Sequence, residues 1–271
     1  MVAAHRVAAT VAQGVHGRRR VGQGDTFWQF RRYQTGDAID QIDWRQSAKT
    51  QHAYIRENEW EAAQSVWIWR DGSPSMNYRS RDDIPTKGER AAVLALALAS
   101  LLVRGGEQVA LLGDNIPPSS GRAVLNRLAI SLSRPAPDAA RSLPLVEPLP
   151  RHARIVLIGD FLSPVEELER IVRGYAGRGV SGHLVQILDP AEDALPFRGR
   201  IRFAGLEGEG DTLLGRVESV RGDYLDLLRA HRAALSDLVR GIGWTFGFHL
   251  TERPPESALL ALHRVLTEKP V

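Results

Sequence analysis

The chain has 271 residues, 43% of them hydrophobic and 25% charged, with a formal net charge of +3 and no cysteine. That length buries a substantial core and suits one large domain, or one domain with an appendage. Without cysteine there is no disulfide, thiolate metal site, iron–sulfur cluster or cysteine nucleophile, and the mild, interspersed charge does not make the sustained basic face of a nucleic-acid binder.

Residues 1–17 are alanine- and valine-rich around Thr10 and suit either a short helix or a loose segment. Arg18-Arg19-Arg20 is a basic run, read as solvated. Residues 26–30 are a strand-like aromatic patch, Gln34-Thr35-Gly36-Asp37 reads as a turn, and residues 53–57 read as a second strand. Residues 18–62 lack a helical period, so they are expected to form a β-rich extension packed on a main domain spanning 63–271.

From Val66 the pattern becomes strand alternating with helix. Strands are expected at 66–70, 108–112, 154–159, 182–188 and 244–250, and helices at 86–104, 121–132, 164–176, 221–240 and 256–266. Thr86 followed by Glu89 makes a capping box, and Gly105-Gly106 ends that helix. Residues 135–150 are a proline-rich linker within one sheet, and the glycine-rich stretch from 196 to 210 reads as a hairpin insertion. Alternation of this kind predicts an α/β fold of three layers around a mainly parallel sheet. The most apolar run, residues 91–103, is shorter than the roughly 20 residues that cross a bilayer, and the N-terminus lacks the long apolar core of a signal peptide. A soluble, cytoplasmic protein without membrane insertion is the expectation.

The stretch richest in chemistry is Val66-Trp67-Ile68-Trp69-Arg70-Asp71-Gly72-Ser73-Pro74-Ser75. A β-branched and aromatic strand ends there in a turn carrying one carboxylate and two hydroxyls at alternating positions. Such oxygens suit a hard divalent cation such as Mg2+ or Mn2+, and equally suit a turn whose side chains cap the backbone. A second strand, Ile155-Val156-Leu157-Ile158-Gly159, also ends in an acid, Asp160. In a parallel sheet the carboxyl ends of the strands share one rim, so Asp71 and Asp160 are expected to converge, and two neighbouring carboxylates call for a cation between them.

A strand ending in Asp-x-Ser-x-Ser, followed by a later strand ending in Asp, resembles the von Willebrand factor type A fold and its metal-ion-dependent adhesion site. The resemblance implies Asp71, Ser73, Ser75 and Asp160 as ligands of Mg2+ or Mn2+. It also implies a threonine before a middle helix, for which the nearest hydroxyls here are Ser119 and Ser120, ahead of Gly121. Upstream, Gly22-x-Gly24-Asp25, Phe30-Arg31-Arg32-Tyr33-Gln34-Thr35-Gly36-Asp37, Ile42-Asp43-Trp44-Arg45-Gln46-Ser47-Ala48-Lys49, Arg56-Glu57 and Glu61 together resemble family 58 of the domains of unknown function. Trp28-Gln29 and Arg70 depart from that family's pattern. Read as chemistry, Arg31, Arg32, Asp37, Asp43, Trp44 and Arg45 are either an ion-pair and aromatic clamp holding the extension or a docking surface for an acidic partner.

What the resemblance implies is a protein-binding adaptor without catalysis, working beside a MoxR-type AAA+ ATPase in chaperone-like assembly. The alternative is a Mg2+-dependent phosphate-ester hydrolase using Asp71, although the position of its usual second acid is Ser73. His-Glu-x-x-His, Gly-x-Ser-x-Gly and P-loop patterns are absent, which disfavours zinc hydrolase, serine hydrolase and NTPase chemistry.

Overall fold

A computed structural model of the chain describes residues 1–14, 27–33, 43–49, 52–58, 65–134 and 141–267. It divides into two compact units, one made of residues 1–18 and 64–271 and the other of residues 19–63.

The larger unit begins with a helix, α1 (Val2–Gly14). Ala4, Val7, Ala8 and Val11 recur at i, i+3, i+4 and i+7, the stripe of an amphipathic helix, and all four are buried in the core. That stripe decides between the two forms the N-terminus allowed.

The smaller unit pairs β1 (Phe27–Arg32) with β2 (Tyr54–Asn58) in antiparallel fashion, with a one-turn helix, α2 (Trp44–Ser47), between them. Asp43 caps α2: its Oδ1 accepts the Gln46 N–H at 2.9 Å. Gly22, Gly24, Asp25, Gln34 to Ile42 and Glu61 of the family signature lie outside the described residues.

The larger unit continues with β3 (Ser65–Arg70), α3 (Lys87–Arg104), β4 (Gln108–Leu111), α4 (Arg122–Leu132), β5 (Arg154–Gly159), α5 (Val165–Ala176) and β6 (Ser181–Leu188). A short α6 (Pro190–Ala194) and a hairpin of β7 (Ile201–Ala204) and β8 (Asp211–Leu214) then precede α7 (Arg221–Gly241), β9 (Thr245–Leu250) and α8 (Pro255–Thr267). The sheet order is β4-β3-β5-β6-β9, and every pair in it is parallel.

Alternation along the strands sorts the core into two layers. Val66, Ile68, Val156, Ile158, Val185 and Ile187 pack with α1, α3, α4 and α8. Ile155, Leu157 and Leu184 face α5 and α7 on the other side. The strands buried on both faces are nearly continuous apolar runs, as parallel strands are. The architecture is therefore three-layer α/β, as the alternation of elements predicts. The expected capping box is present: the Thr86 Oγ1 accepts the Glu89 N–H at 3.1 Å, and Glu89 Oε2 accepts the Thr86 N–H at 2.9 Å.

Candidate functional site

β3 and β5 are neighbours in register, with Arg70 opposite Ile158, so the two strands run out together. The Asp71 N–H extends the ladder by donating to the Ile158 carbonyl at 2.8 Å. Gly159 makes this close approach feasible, because a Cβ there would lie 2.9 Å from Asp71 Cβ and 3.1 Å from its Oδ2. After β5 the chain turns sharply at Phe161, whose φ of 48° is the left-handed region that a buried aromatic seldom occupies. The His231 Nε2 lies 2.6 Å from the Phe161 carbonyl oxygen and helps hold that turn.

Asp71, Ser73 and Asp160 are buried, and Ser75 is half-buried. The Ser73 N–H donates to Asp71 Oδ1 at 2.8 Å, the turn geometry that the Asp-x-Ser spacing favours. The Ser73 and Ser75 hydroxyl oxygens are 3.1 Å apart, and Ser75 donates its hydroxyl proton to Asp160 Oδ2 at 2.7 Å. The convergence of the two strand-end acids and the two hydroxyls is thus realised.

A cation is already present at this rim, and sequence reasoning missed it. Lys87, the first residue of α3, is fully buried, with its Nζ 2.9 Å from Asp160 Oδ2 and 2.6 Å from Glu192 Oε1. Burial opposes its charge, but Asp160 and Glu192 outweigh that and hold the ammonium above the ordinary lysine value. Glu192 comes from the capping box of α6, in which its Oε2 accepts the Asp189 N–H at 2.8 Å. Gln186 completes the support by donating its side-chain amide to the Asp160 carbonyl at 2.9 Å. The available signal was composition: Lys87 is one of three lysines in the chain and opens its most apolar helix.

Asp71 has no such partner. Its Oδ2 is buried with no hydrogen bond. Burial, and then the neighbouring charge of Asp160, push its carboxyl up to about 7 against the opposing bonds from Ser73. Among the described residues no three carboxylates or imidazoles cluster as a metal-binding group. The donors here are instead Asp71 Oδ2, two hydroxyls and Asp160. All are hard oxygens, and the one Lys87 ammonium is shared by Asp160 and Glu192 and leaves Asp71 without a cation, so the set fits Mg2+ or Mn2+. Across the opening, Glu207 at the turn between β7 and β8 accepts the Ser75 N–H at 3.3 Å.

Other candidate residues lie elsewhere. Ser119 exchanges backbone hydrogen bonds with Val109, which is level with Val66 at the start of β3, and its hydroxyl accepts from Arg127. Five residues of strand, roughly 16 Å, separate Val66 from Asp71, so Ser119 stands toward the opposite end of the sheet from the rim. Ser120 follows it and is exposed. Arg70 is half-buried, and its guanidinium donates to the Arg134 carbonyl at 3.4 Å. In the smaller unit Asp43 is occupied as a helix cap, Trp44 is 65% exposed, and Arg32 and Arg45 are exposed. Arg31 pairs with Ile55 in the strand ladder, and Asp37 lies outside the described residues. No helix among the described residues is long and apolar enough to cross a membrane.

Comparison with known proteins adds a family. A model described as "Protein of unknown function DUF58" matches residues 29–234. Uncharacterized proteins of Mycobacterium bovis and Mycobacterium tuberculosis are 27% identical to the chain over 236 residues, covering 82% of it and 73% of each relative. Among solved structures, an aerotolerance-related membrane protein from Bacteroides fragilis is similar at 18% identity and a TM-score of 0.44, covering 74% of this chain and 97% of that one. The conserved hypothetical protein BatB from Bacteroides thetaiotaomicron has 16% identity and a TM-score of 0.42 over 76% of this chain and all of its own. The SpRpn10 VWA domain has 12% identity and a TM-score of 0.33 over 74% of this chain and 95% of its own.

Proposed function

The chain belongs to the DUF58 family, and from that premise we propose that it is a non-catalytic protein-binding module whose strand-end rim captures a partner's acidic side chain through a divalent cation. The observation that carries this reading is the Asp71 carboxylate, which is buried, lacks a partner for Oδ2 and stands beside two serine hydroxyls and Asp160. Asp71, Ser73 and Ser75, with Asp160 beside them, would hold Mg2+ or Mn2+. When bound, the ion supplies an open coordination position to a carboxylate and no bond-breaking chemistry.

The residues of the chain itself do the rest. Lys87 holds Asp160 in place as an acceptor for the Ser75 hydroxyl proton. Glu207, whose Oε1 accepts the Ser75 N–H, carries the same charge as an incoming acid, which would displace it. The acceptor expected from the resemblance is a MoxR-type AAA+ ATPase or its client, with the module working in the cytoplasm as an adaptor in assembly.

Calorimetric titration of the metal-free protein with Mn2+ tests the site. The expected result is one binding event that Asp71→Ala removes, and no heat in the wild type would overturn the cation. Capture of a purified MoxR-type ATPase with and without chelator tests the adhesion role. Equal capture under both conditions would overturn the metal-bridged mechanism.

A further inference from the structure

A second site lies at the far edge of the sheet. β9 pairs with β6 on one side, and among the described residues no strand pairs with its other side. Its sequence, Thr-Phe-Gly-Phe-His-Leu, carries no lysine, proline or other charged residue of the kind that protects an open edge from pairing. The edge borders a cavity of about 550 Å³ whose walls come from α7 on one side and α8 on the other. A strand edge recessed between two helices admits one further extended segment. A second copy of the chain would bring its own pair of helices into the same space.

The lining has a definite chemistry. No acidic side chain borders the cavity, whereas Arg253, His183 and His249 do. Arg253 has no acidic partner among the described residues. His249 is 3% exposed, and its Nε2 is buried without a hydrogen-bond partner. The strand register sorts these groups by face. Thr245, Gly247 and His249 stand opposite His183, Val185 and Ile187, on the side of α8, while Phe246 and Phe248 stand opposite Leu184 and Gln186, on the side of α7. Gly247 makes room for the His183 ring in the middle of the strand, since a Cβ there would lie 3.2 Å from its Nε2.

We infer that β9 is a docking edge for an extended peptide segment of a partner protein, one that alternates acidic with apolar residues. The peptide would add to the sheet by main-chain hydrogen bonds along β9. Its acidic side chains would face α8, toward Arg253 and His249, and its apolar ones would face Phe246 and Phe248. Six residues match the length of the strand. This site is independent of the Asp71 rim.

The test uses two blocked synthetic hexapeptides, one alternating valine with glutamate and one alternating valine with lysine, titrated into the full-length protein by calorimetry. The acidic peptide is expected to bind at least tenfold more tightly than the basic one. Arg253→Glu, an exposed change that leaves the core intact, reverses that order, and the amides of β9 become protected from hydrogen exchange only when the acidic peptide is present. Asp71→Ala leaves this binding unchanged, which separates it from the rim. Failure of the acidic peptide to bind, or equal binding of both, overturns the inference. So does protection of β9 by a concentration-dependent dimer without peptide, which would make a second copy the occupant. Displacement of the peptide by free glutamate without loss of β9 protection would make the occupant a small acid and likewise overturn it.

Discussion

Lys87 Nζ lies 2.9 Å from Asp160 Oδ2 inside the protein, so the acid at the end of β5 is neutralised by the helix that follows β3. Removing that ammonium strands two buried carboxylates, Asp160 and Glu192. Lys87→Met is expected to destabilise the fold by about 3–5 kcal/mol, the range for breaking one side of a buried ion pair. Chemical denaturation in chelator measures it. If the variant stays folded, it binds Mn2+ more tightly than the wild type, because a like charge has gone from beside the ion.

Gly159→Ala places a methyl group within 3.1 Å of the Asp71 carboxylate and 2.9 Å of its Cβ. β3 or β5 must shift to admit it, so a loss of about 1–3 kcal/mol is expected from overpacking. The same shift moves Asp71 off Ser73 and is expected to weaken Mn2+ binding. Thermal melts and the calorimetric titration give the two readouts, and a variant with unchanged metal affinity would argue against the tight placement of Asp71.

The pH dependence of stability combines opposite signs. The Asp71 carboxyl is pushed up to about 7 in the folded chain, so the native state holds more protons than the unfolded one between roughly pH 4 and 7, and stability falls as pH rises through that window. His183 and His249 are pushed down to about 4, mainly by burial. There the unfolded state holds more protons between pH 4 and 6.5, so stability rises with pH, by up to about 3 kcal/mol for each. In chelator, Asp71→Asn removes the opposing contribution and is expected to lose stability on acidification more steeply than the wild type. Denaturant midpoints at pH 4.5, 5.5, 6.5 and 7.5 check the sign.

Thr86→Ala removes the acceptor for the Glu89 N–H at the start of α3. About 1 kcal/mol is expected from the lost cap. Because Lys87 is the next residue, Mn2+ affinity is expected to change as well, which an ordinary surface cap far from the rim would not do. Thr86→Ser restores both.

The parallel rim was legible because two apolar, β-branched runs each end in an acid and parallel strands finish on one side. Asp71 and Asp160 meet for that reason, and Ser73 and Ser75 follow from the turn. Lys87 was not legible, because a lysine in the first turn of an amphipathic helix reads as solvated, and its two partners are 73 and 105 residues away. Ser119 shows the reverse difficulty. Its position ahead of a helix suggested the rim, but a single antiparallel bridge to Val109 sets it level with the start of β3 instead. In the smaller unit Asp43 reads from sequence as an ion-pair acid and proves to be the cap of a one-turn helix.

The rim is assembled from the ends of β3 and β5, the first residue of α3 and the capping box of α6. Asp71 and Asp160 belong to different strands, and neither Lys87 nor Glu192 is near either acid in the chain. No contiguous fragment of the polypeptide holds all four pieces until β6 and α6 have been made and have docked. The rim is therefore a product of tertiary assembly: a nascent or partly unfolded copy has the Asp-x-Ser-x-Ser letters without Asp160, Lys87 and Glu192 in place around them.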